Sequence, residues 1–336
     1  MTDVFSRLIS VGNVVVDILA TVPSLPAPGG DVIATGSGLA AGGSFNVLAA
    51  AQRQGLASAY GGAHGTGPLG ELVRASLAAE GIDVLLPPVD AEDSGWDVAL
   101  TDSDGERTFI TAVGAEARLT RAMLASIEVR STDAVHVSGY GLLREPNRAS
   151  ITGWLAALPP ACVVLFDPGP LGDRIDPDVL AAVRARADWW SGNEAEALAA
   201  TGLPDPIGSP DPADTADAGD VADAAETAHA ARMLAAGTPR RPGGVVVRLG
   251  VAGCLLALPD GSVRHIPGFE LAAVDTNGAG DAHIGAFLAA LAQGATPASA
   301  ARRANAAAAL AVSRRGPATS PTASEVDAFL SAHPLN

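Results

Sequence analysis

The chain has 336 residues, of which 48% are hydrophobic and 17% are charged, so it can bury a core as one large α/β domain or as two smaller domains. Asp and Glu number 37 against 21 basic residues, for a net charge of −16, and so acidic a surface disfavours nucleic-acid partners and anionic membranes. Every basic residue is an arginine, which excludes P-loop ATPases, lysine-dependent protein kinases, pyridoxal-phosphate enzymes and Schiff-base aldolases.

No targeting or membrane-spanning segment is predicted, because Asn13 and Asp17 interrupt the apolar run near the N-terminus. The two cysteines, Cys162 and Cys254, each lie in an apolar, strand-like run. We interpret them as buried small hydrophobic residues rather than as a disulfide or a metal site. The sequence therefore predicts a soluble protein of a reducing, cytoplasmic compartment.

Short β-branched runs alternate with alanine-rich runs along the chain, which predicts a mostly parallel sheet with helices on both faces. The predicted strands are Leu8–Val16, Ala134–Val137, Val163–Phe166, Gly244–Leu249 and Cys254–Leu258. The predicted helices are Phe45–Gln54, Leu69–Glu80, Ala149–Ala157, Ala222–Ala236, Ala279–Gln293 and Pro297–Ser313.

Three segments depart from this alternation. Ile18–Gly38 is rich in Pro and Gly, and Ser94–Ile110 is typical of two strands joined by an Asp-Ser-Asp-Gly turn. Both are predicted to form a small β flap outside the main sheet, with lid segments at about 18–38 and 94–111. Pro204–Thr227 is rich in Asp, Pro and Ala and is predicted to be an acidic insertion loop that leads into a helix.

The stretch VDTNGAGD, Val274–Asp281, runs directly into an apolar helix. Gly278 and Gly280 allow a tight turn whose N–H groups would lie at a helix N-terminus, which makes an anion site without any cationic side chain. A carboxylate there repels phosphate, so Asp281 is predicted to be a base that accepts a proton from a substrate hydroxyl. The alternative is that Asp281 is a helix N-cap.

Two motifs carry a family resemblance. DTNGAGD followed by GAFLAAL resembles the C-terminal signature of the ribokinase-like (PfkB) carbohydrate kinases, and Gly42-Gly-Ser-Phe-Asn46 followed by VLAAAQRQG resembles their N-terminal signature. Three further pieces follow in the family's order: Asn193-Glu-Ala-Glu196, Arg248-Leu-Gly-Val-Ala-Gly253, and Ala311-Val-Ser-Arg-Arg-Gly316 with Ser320. The resemblance covers nearly the whole chain. It implies a single domain over 1–336, a three-layer α/β/α sandwich with a mainly parallel central sheet and a small β-flap lid.

The resemblance implies an ATP-dependent carbohydrate kinase in which Asp281 is the catalytic base and the backbone of Gly278, Ala279 and Gly280 forms the anion hole. Its ligands would be ATP, Mg²⁺ held through water by Glu196, and a sugar or sugar-like substrate, with K⁺ as a further candidate. The residues implied to border the nucleotide are Asn193, Glu196, Arg248, Gly250, Gly253 and Asn305. Those implied around a monovalent cation are Asp275, Asn277, Ala311, Arg314, Gly316 and Ser320.

Simpler alternatives exist for two of these pieces. Asn193–Glu196 is also typical of an ordinary helix start. Arg314 and Arg315 would also suit a basic helix end that complements the helix dipole.

The sugar would lie at the other end of the site. Asp17 follows an apolar strand, where the resemblance implies a carboxylate that accepts hydrogen bonds from sugar hydroxyls. Gly42 and Gly43 would let the backbone approach the sugar, and the Asn46 amide would both donate and accept. The flap residues expected to close over the sugar and exclude water are Asp31, Trp96, Asp97 and Arg107.

Several residues depart from the family's pattern. Two residues rather than three separate Gly43 from Asn46, Phe45 places an aromatic ring near the pocket, Glu116 stands where relatives often carry Asn, and Arg248 replaces a common threonine. These departures leave the substrate open among pentoses, hexoses, keto-deoxy acids and nucleosides. The acidic composition disfavours a substrate that is already phosphorylated or carboxylated.

Other functions stay open at this point. A nucleoside kinase would share the fold, and a non-catalytic sugar-binding regulator would share the sugar site. Gly65-Thr-Gly-Pro-Leu-Gly70 matches the G-x-G-x-x-G fingerprint of NAD-dependent oxidoreductases. A homodimer through the flap is also expected, because a small sheet has edges that other strands can cover.

Overall fold

The computed structural model describes residues 5–103, 107–203, 221–238, 243–316 and 318–334. Most of the predicted acidic loop Pro204–Thr227 lies outside the described residues, and the helix that follows it begins at Val221. Among the described segments, no helix combines the length and the apolarity needed to cross a bilayer. Cys162 and Cys254 are free and buried, as predicted.

The described residues form two β-sheets. Their strands are β1 (Arg7–Ser10), β2 (Val14–Thr21), β3 (Gly36–Gly43), β4 (Ala57–Tyr60), β5 (Asp83–Val84), β6 (Trp96–Thr101), β7 (Arg107–Ala112), β8 (Asp133–Ser138), β9 (Val163–Asp167), β10 (Trp189–Asn193), β11 (Gly244–Arg248), β12 (Gly253–Ala257) and β13 (Val263–Pro267). The central sheet has the order β13-β12-β11-β10-β9-β8-β1-β4-β5. It is parallel except at its β12 and β13 edge, which is antiparallel.

Helices cover both faces of the central sheet. They are α1 (Ser44–Arg53), α2 (Pro68–Ala79), α3 (Arg121–Ala125), α4 (Asn147–Ala157), α5 (Pro177–Arg186), α6 (Glu194–Thr201), α7 (Val221–Ala236), α8 (Ala279–Ala292), α9 (Pro297–Val312) and α10 (Ala323–Ala332). Each helix predicted from the sequence is present, with ends that differ by at most about two residues, the usual uncertainty of helix boundaries.

Two separate hydrophobic cores lie on opposite faces of the central sheet. Neighbouring residues of one strand project to opposite faces, so Leu8 belongs to one core and Ile9 to the other. In the same way, Trp189 belongs to the core of Leu8, and Trp190 belongs to the core of Ile9. The predicted three-layer α/β/α sandwich is therefore confirmed.

The predicted strand Leu8–Val16 is wrong as a single element. β1 ends at Ser10 and β2 begins at Val14, and the chain passes between them from the central sheet to the second sheet. Val11 at the break is as buried as the strands on either side of it. The apolar run therefore continues through the break, and hydrophobicity does not mark it.

The second sheet, here called the lid, consists of β2, β3, β6 and β7 in the order β3-β2-β6-β7. Its β6–β7 pair is the antiparallel hairpin that the sequence predicts, and β2 pairs with β6 in parallel. The predicted flap is therefore confirmed, although its first segment begins inside β2 rather than after it.

Glu116 fastens the base of the lid to the body of the protein. Its carboxylate accepts hydrogen bonds from Gly95 N at 2.7 Å and Gly114 N at 2.8 Å, just before β6 and just after β7. Asn147 in turn donates to Glu116 O at 2.7 Å. Glu116 thus has a structural role at the two chain ends of the hairpin.

Helices α1 and α8, which carry predicted site residues, pack very closely at Gly285. A Cβ placed there would lie 2.5 Å from Ala50 Cβ and 2.6 Å from Val47 O. We expect Gly285→Ala to lower the free energy of unfolding by about 1–3 kcal/mol, because the helices would have to separate. Urea denaturation measures this change.

The matched control is Gly153→Ala in α4, where a Cβ would meet only the Arg121 guanidinium at an ordinary 3.5 Å. This change is expected to raise the free energy of unfolding by about 0.4–1 kcal/mol, because alanine restricts the unfolded chain. Equal effects of the two substitutions would contradict the close packing of α1 on α8.

Candidate active site

The candidate site lies at the carboxyl edge of the central sheet. Asp167, Asn193 and Arg248 are the last residues of β9, β10 and β11. These strands are parallel neighbours, so their ends meet at one edge. Asp281, in the first turn of α8, is close enough to Asp167 and Arg248 for both to influence its pKa. The fold therefore brings together three residues that the sequence predicts for the site, namely Asn193, Arg248 and Asp281.

Asp281 lies at the N-terminus of α8 without capping it. The helix begins after Gly278, whose φ of 73° is in the left-handed region that glycine adopts without strain. No side chain caps this N-terminus, and Asp281 Oδ2 instead accepts a hydrogen bond from Asn46 Nδ2 at 3.1 Å. The N-cap interpretation of Asp281 is therefore wrong. Ala279 N donates to Thr276 O at 3.3 Å, and the next N–H groups of α8, which no side chain caps, are left for an anion.

Burial, and to a smaller extent the charge of Asp167, raise the pKa of Asp281 to about 6. The hydrogen bond from Asn46 and the charge of Arg248 act in the opposite direction. A carboxyl with this pKa is mostly ionised at neutral pH, yet it is a stronger base than an exposed aspartate. Asp281 can therefore accept a proton from a hydroxyl placed beside it.

The guanidinium of Arg248 lies between the start of α8 and two carboxylates. A Cβ placed on Gly280 would be 3.3 Å from Arg248 Nε. Nη1 donates to Ser191 Oγ at 2.8 Å, and Nη2 lies 3.4 Å from Glu196 Oε2 and 3.9 Å from Asp167 Oδ1. The prediction of an anion site without a cationic side chain is therefore wrong, because Arg248 adds a positive charge beside the N–H groups of α8.

A reciprocal capping box holds Glu196 at the start of α6. Glu196 N donates to Asn193 Oδ1 at 2.8 Å, and Asn193 N donates to Glu196 Oε2 at 2.7 Å. The helix-start interpretation is thus confirmed, but the same cap places the carboxylate next to Arg248. Burial raises the pKa of Glu196, and Arg248 opposes that rise.

The part of the chain that the structure describes contains no group of three or more His, Cys, Asp and Glu side chains that could hold a metal. A metal at Glu196 would therefore complete its coordination with water and phosphate oxygens, the ligands that Mg²⁺ commonly retains.

Asp17 lies on β2 at the lid side of the cleft and is only 8% exposed. A Cβ on Gly42 of the neighbouring strand β3 would overlap the Asp17 carboxylate, so the glycine is required for this close approach. Burial, and to a smaller extent the charges of Asp97 and Asp281, raise the pKa of Asp17 to about 7. The influence of Asp281 shows that Asp17 and Asp281 border one cleft.

The other residues predicted to contact the sugar have different surroundings. Asn46 Oδ1 is buried without a hydrogen-bond partner, while its Nδ2 group is held by the carboxylate described above. Gly43 is the N-cap of α1 with a φ of 61°. Phe45 is buried among hydrophobic core residues, and the nearness of its ring to the pocket stays a prediction. Arg107 begins β7, but its side chain lies outside the described residues.

The residues predicted to border the nucleotide lie around the β11–β12 turn and on α9. Gly250 and Gly253 shape the turn, with φ values of 57° and 98°. Asn305 is buried, and its Nδ2 donates to the carbonyls of Ile266 and Pro267 at 3.0 Å each. Asn305 thus fastens the end of β13, and its contact with a nucleotide stays a prediction.

Asp275 joins the segment before α8 to the loop after α9. Its Oδ1 accepts a hydrogen bond from Asn277 N at 2.9 Å, and its Oδ2 accepts one from Gly316 N at 3.0 Å. Ser320 Oγ is buried and has no hydrogen-bond partner. An oxygen in this state fits a cation ligand, because a buried polar atom without a partner is costly.

The remaining residues predicted around the cation lie at the end of α9. Arg314 N donates to Ala311 O at 3.1 Å. The Arg314 guanidinium forms an ion pair with Glu325 Oε1 at 2.6 Å. The side chain of Arg314 therefore has a structural partner, so that only its carbonyl is left as a candidate cation ligand.

Sequence reasoning missed three site residues. Asp167 ends β9 and Ser191 lies on β10, where it binds Arg248. Tyr140 follows β8, and burial and nearby carboxylates, among them Asp97 and Asp167, raise its pKa. Only Asp167 had a signal in the sequence. It directly follows an apolar, strand-like run, as Asp17 does, and sites form at the carboxyl ends of parallel strands.

The Gly65–Gly70 segment does not provide a dinucleotide site. It leads into α2, whose first N–H groups are already satisfied by a carboxylate: Asp93 accepts hydrogen bonds from Leu69 N at 3.1 Å and Gly70 N at 2.7 Å. A pyrophosphate would need the same N–H groups. The interpretation of this motif as an NAD fingerprint is therefore wrong.

The pKa of Asp17 predicts a pH-dependent stability. Because the folded-state pKa is raised to about 7 from 3.8, the folded protein binds a proton more tightly than the unfolded chain does. The resulting stabilisation is complete below about pH 4 and is lost as the pH rises through about 7. We therefore expect Asp17→Asn to raise the free energy of unfolding at pH 8 by at least about 1 kcal/mol, with little effect at pH 4.

Urea denaturation at the two pH values tests this expectation. Asp90→Asn, which removes an exposed carboxylate from a turn, is the control and should give no such difference. A pH-independent effect of Asp17→Asn would contradict the raised pKa.

Comparisons with known proteins identify the family and the fold of the chain. Residues 6–323 match the family model described as pfkB family carbohydrate kinase. The uncharacterized sugar kinase YegV of Escherichia coli is 31% identical over 94% of this chain and 91% of that protein. The ATP-dependent ribose-1-phosphate kinase of Halopiger xanaduensis is 30% identical over 97% of this chain and 98% of that protein.

Solved ribokinase structures share the fold. The structure of ribokinase from Giardia lamblia superposes with a TM-score of 0.79 at 20% identity and covers 98% of this chain and 100% of that one. Arabidopsis thaliana ribokinase, complexed with ribose and ATP, gives a TM-score of 0.74 at 22% identity over 97% of this chain and 99% of that one.

Proposed function

The chain belongs to the pfkB family of carbohydrate kinases, and on that premise we propose that it transfers the γ-phosphoryl group of ATP to a hydroxyl of a sugar or sugar-like substrate, with Asp281 as the base. The observation that carries this proposal is the position of Asp281. Its carboxylate lies at an uncapped helix N-terminus, is held by Asn46 and has a pKa raised to about 6.

The proposed chemistry is an in-line displacement. The substrate, held near Asp17, presents a primary hydroxyl beside Asp281. As the new O–P bond forms and the bond from the γ-phosphorus to the leaving ADP oxygen breaks, Asp281 accepts the hydroxyl proton. The N–H groups of residues 278–280 stabilise the charge that develops on the transferred group.

Two side chains would assist at the phosphate end. Arg248 places its guanidinium against Gly280 and so would neutralise phosphate charge. Glu196, oriented by Asn193, would hold Mg²⁺ through water; when bound, this ion neutralises the phosphates and orients them. Glu196 suits this role because its carboxylate is 8% exposed and fixed by the capping box.

A potassium-like ion would bind where Asp275 joins the two loops. The support for this part of the proposal is Ser320, whose buried hydroxyl lacks a partner. The carbonyls of Asp275, Asn277, Ala311, Arg314 and Gly316 would supply the remaining oxygens. Turnover measured with K⁺ and with a large organic cation in its place tests this site, and equal rates would contradict it.

The experiment that tests the proposed function is ADP release from ATP and Mg²⁺ across a panel of ribose, fructose, other hexoses, keto-deoxy sugar acids and nucleosides. We expect a strong signal with one sugar and none with Asp281→Asn. Turnover with nucleosides alone would instead indicate a nucleoside kinase. Sugar binding by calorimetry with no turnover would contradict the proposed chemistry and favour a regulator.

The outer face of the lid supports a homodimer. Leu39, Ile18, Val98 and Ile110 are paired in register across all four strands, which makes an apolar row on the face opposite Asp17. Leu39 and Ile110 are 59% and 57% exposed. A second copy of this chain would cover the row, because the same surface is apolar in both copies.

Light scattering at micromolar protein is expected to give the mass of a dimer, and Ile110→Asp that of a monomer. Met233→Asp, which changes an exposed residue of α7, is the control and should leave the mass unchanged. A monomeric wild-type protein would contradict the dimer.

A further inference from the structure

Two carboxylates lie side by side on the face of the lid that borders the cleft. Asp17 of β2 and Asp97 of β6 are register partners in a parallel pair. Such partners project to the same face on strands about 4.8 Å apart. Asp17 is 8% exposed, and Asp97 Oδ1 is buried without a hydrogen-bond partner. The charge of Asp97 contributes to the raised pKa of Asp17.

Neither Asn46 nor Arg248 donates a hydrogen bond to this pair. Asn46 must present its Nδ2 group to the Asp281 carboxylate, which leaves its buried Oδ1 as a further acceptor without a partner. Within the described residues, the arginine nearest the reacting end, Arg248, is engaged with Glu196 and Ser191 instead. Neither Asp17 nor Asp97 has an ion pair among the described residues.

The neighbouring positions leave room for a ligand. In the same row across the lid, Ala40 pairs with Asp17 and Thr111 pairs with Asp97. Both flanking side chains are short, so the two carboxylates are the largest groups of that row. Adjacent buried carboxylates are unfavourable unless hydrogen-bond donors satisfy them. Neighbouring hydroxyls of a sugar supply such donors, whereas a phosphate or carboxylate group would add further negative charge to the pair.

We propose that Asp97 is a specificity-determining residue that, together with Asp17, restricts the acceptor to uncharged sugars with adjacent free hydroxyls and excludes sugars that already carry a phosphate or a carboxylate. This inference rests on the proposed function, since it assigns the substrate class of the same site. It concerns binding of the sugar and not the transfer step, so the two can be tested separately.

The test compares kcat/KM for D-ribose and D-fructose with that for ribose 1-phosphate and 2-keto-3-deoxygluconate. Because like charges in a buried site repel strongly, the wild-type enzyme is expected to prefer the better uncharged sugar by at least about 100-fold. Asp97→Asn keeps the size of the side chain and removes its charge. It should reduce this preference at least about 10-fold through KM, with kcat changed by less than about threefold. Asp90→Asn should leave the preference unchanged.

Calorimetric binding of the same four sugars in the absence of ATP separates this inference from the proposed function. If binding shows the preference and its loss in Asp97→Asn but no sugar is phosphorylated, the specificity role stands and the proposed chemistry fails. An unchanged preference in Asp97→Asn, with thermal unfolding like that of the wild type, would overturn the inference. So would a wild-type enzyme that binds the anionic sugars as tightly as the uncharged ones.

Discussion

Asp281→Asn is expected to lower kcat by at least about 100-fold, while the affinity for ATP stays within about threefold of the wild-type value. The substitution keeps the shape of the side chain but removes the base that accepts the hydroxyl proton. ATP affinity should be preserved because the N–H groups at the start of α8 come from the backbone, and no side chain caps them.

The pH dependence gives this prediction a second readout. Since burial raises the pKa of Asp281 to about 6, kcat/KM of the wild-type enzyme should rise with pH through about 6 and be lost below it. Asp281→Asn should lack this limb, and Asp90→Asn should retain it. A variant that keeps most of its turnover, or keeps the same acidic limb, would exclude Asp281 as the base.

Arg248→Met is expected to lower kcat/KM for ATP by about 10²–10³-fold, because it removes the positive charge beside the transferred phosphoryl group. Methionine retains much of the volume of the side chain. Arg248→Lys should restore part of the activity, since the charge returns without the planar guanidinium that binds Ser191 and Glu196 together. Steady-state kinetics with varied ATP measures both variants.

A structural role for Arg248 would give a different result. Its removal leaves the partly buried carboxylates of Glu196 and Asp167 without a counter-charge, so some stability should be lost. At an assay temperature well below its own melting temperature, Arg248→Met should be fully folded and still lack turnover. Arg264→Met, at an exposed position of β13, is the control. Activity of Arg248→Met that recovers together with stability would contradict a role in phosphoryl transfer.

The elements of the fold were predictable because their signals are local. The apolar helix α8 begins at Ala279, within VDTNGAGD and directly after the glycine turn at Gly278, as the sequence indicates. The Asp-Ser-Asp-Gly signal correctly predicted the β6–β7 pair of the lid. Hydrophobicity failed at Leu8–Val16, because the chain changes sheets there without leaving the protein interior.

The role of a charged residue was harder to predict than the element that carries it. Glu116 looked like a substitution that could alter the substrate, yet its carboxylate fastens the base of the lid. The Gly65–Gly70 segment had the spacing of a dinucleotide motif, but Asp93, 23 residues beyond Gly70, occupies its N–H groups. In both cases the deciding hydrogen bond joins residues that no short motif contains.

The amino-acid sequence by itself determined the succession of strands and helices, the glycine turn before α8 and the identity of Asp281 as the candidate base, because periodicity, turn chemistry and helix starts depend on neighbouring residues. Only the tertiary structure decided which charges meet. Asn46 reaches Asp281 across 235 residues of chain, Arg248 lies against Gly280, and strand register sets Asp97 beside Asp17. Such contacts between distant residues depend on which strand ends share an edge of the sheet and on the register of the lid strands. These are properties of the assembled fold, which is why the site's electrostatics could not be predicted from the sequence.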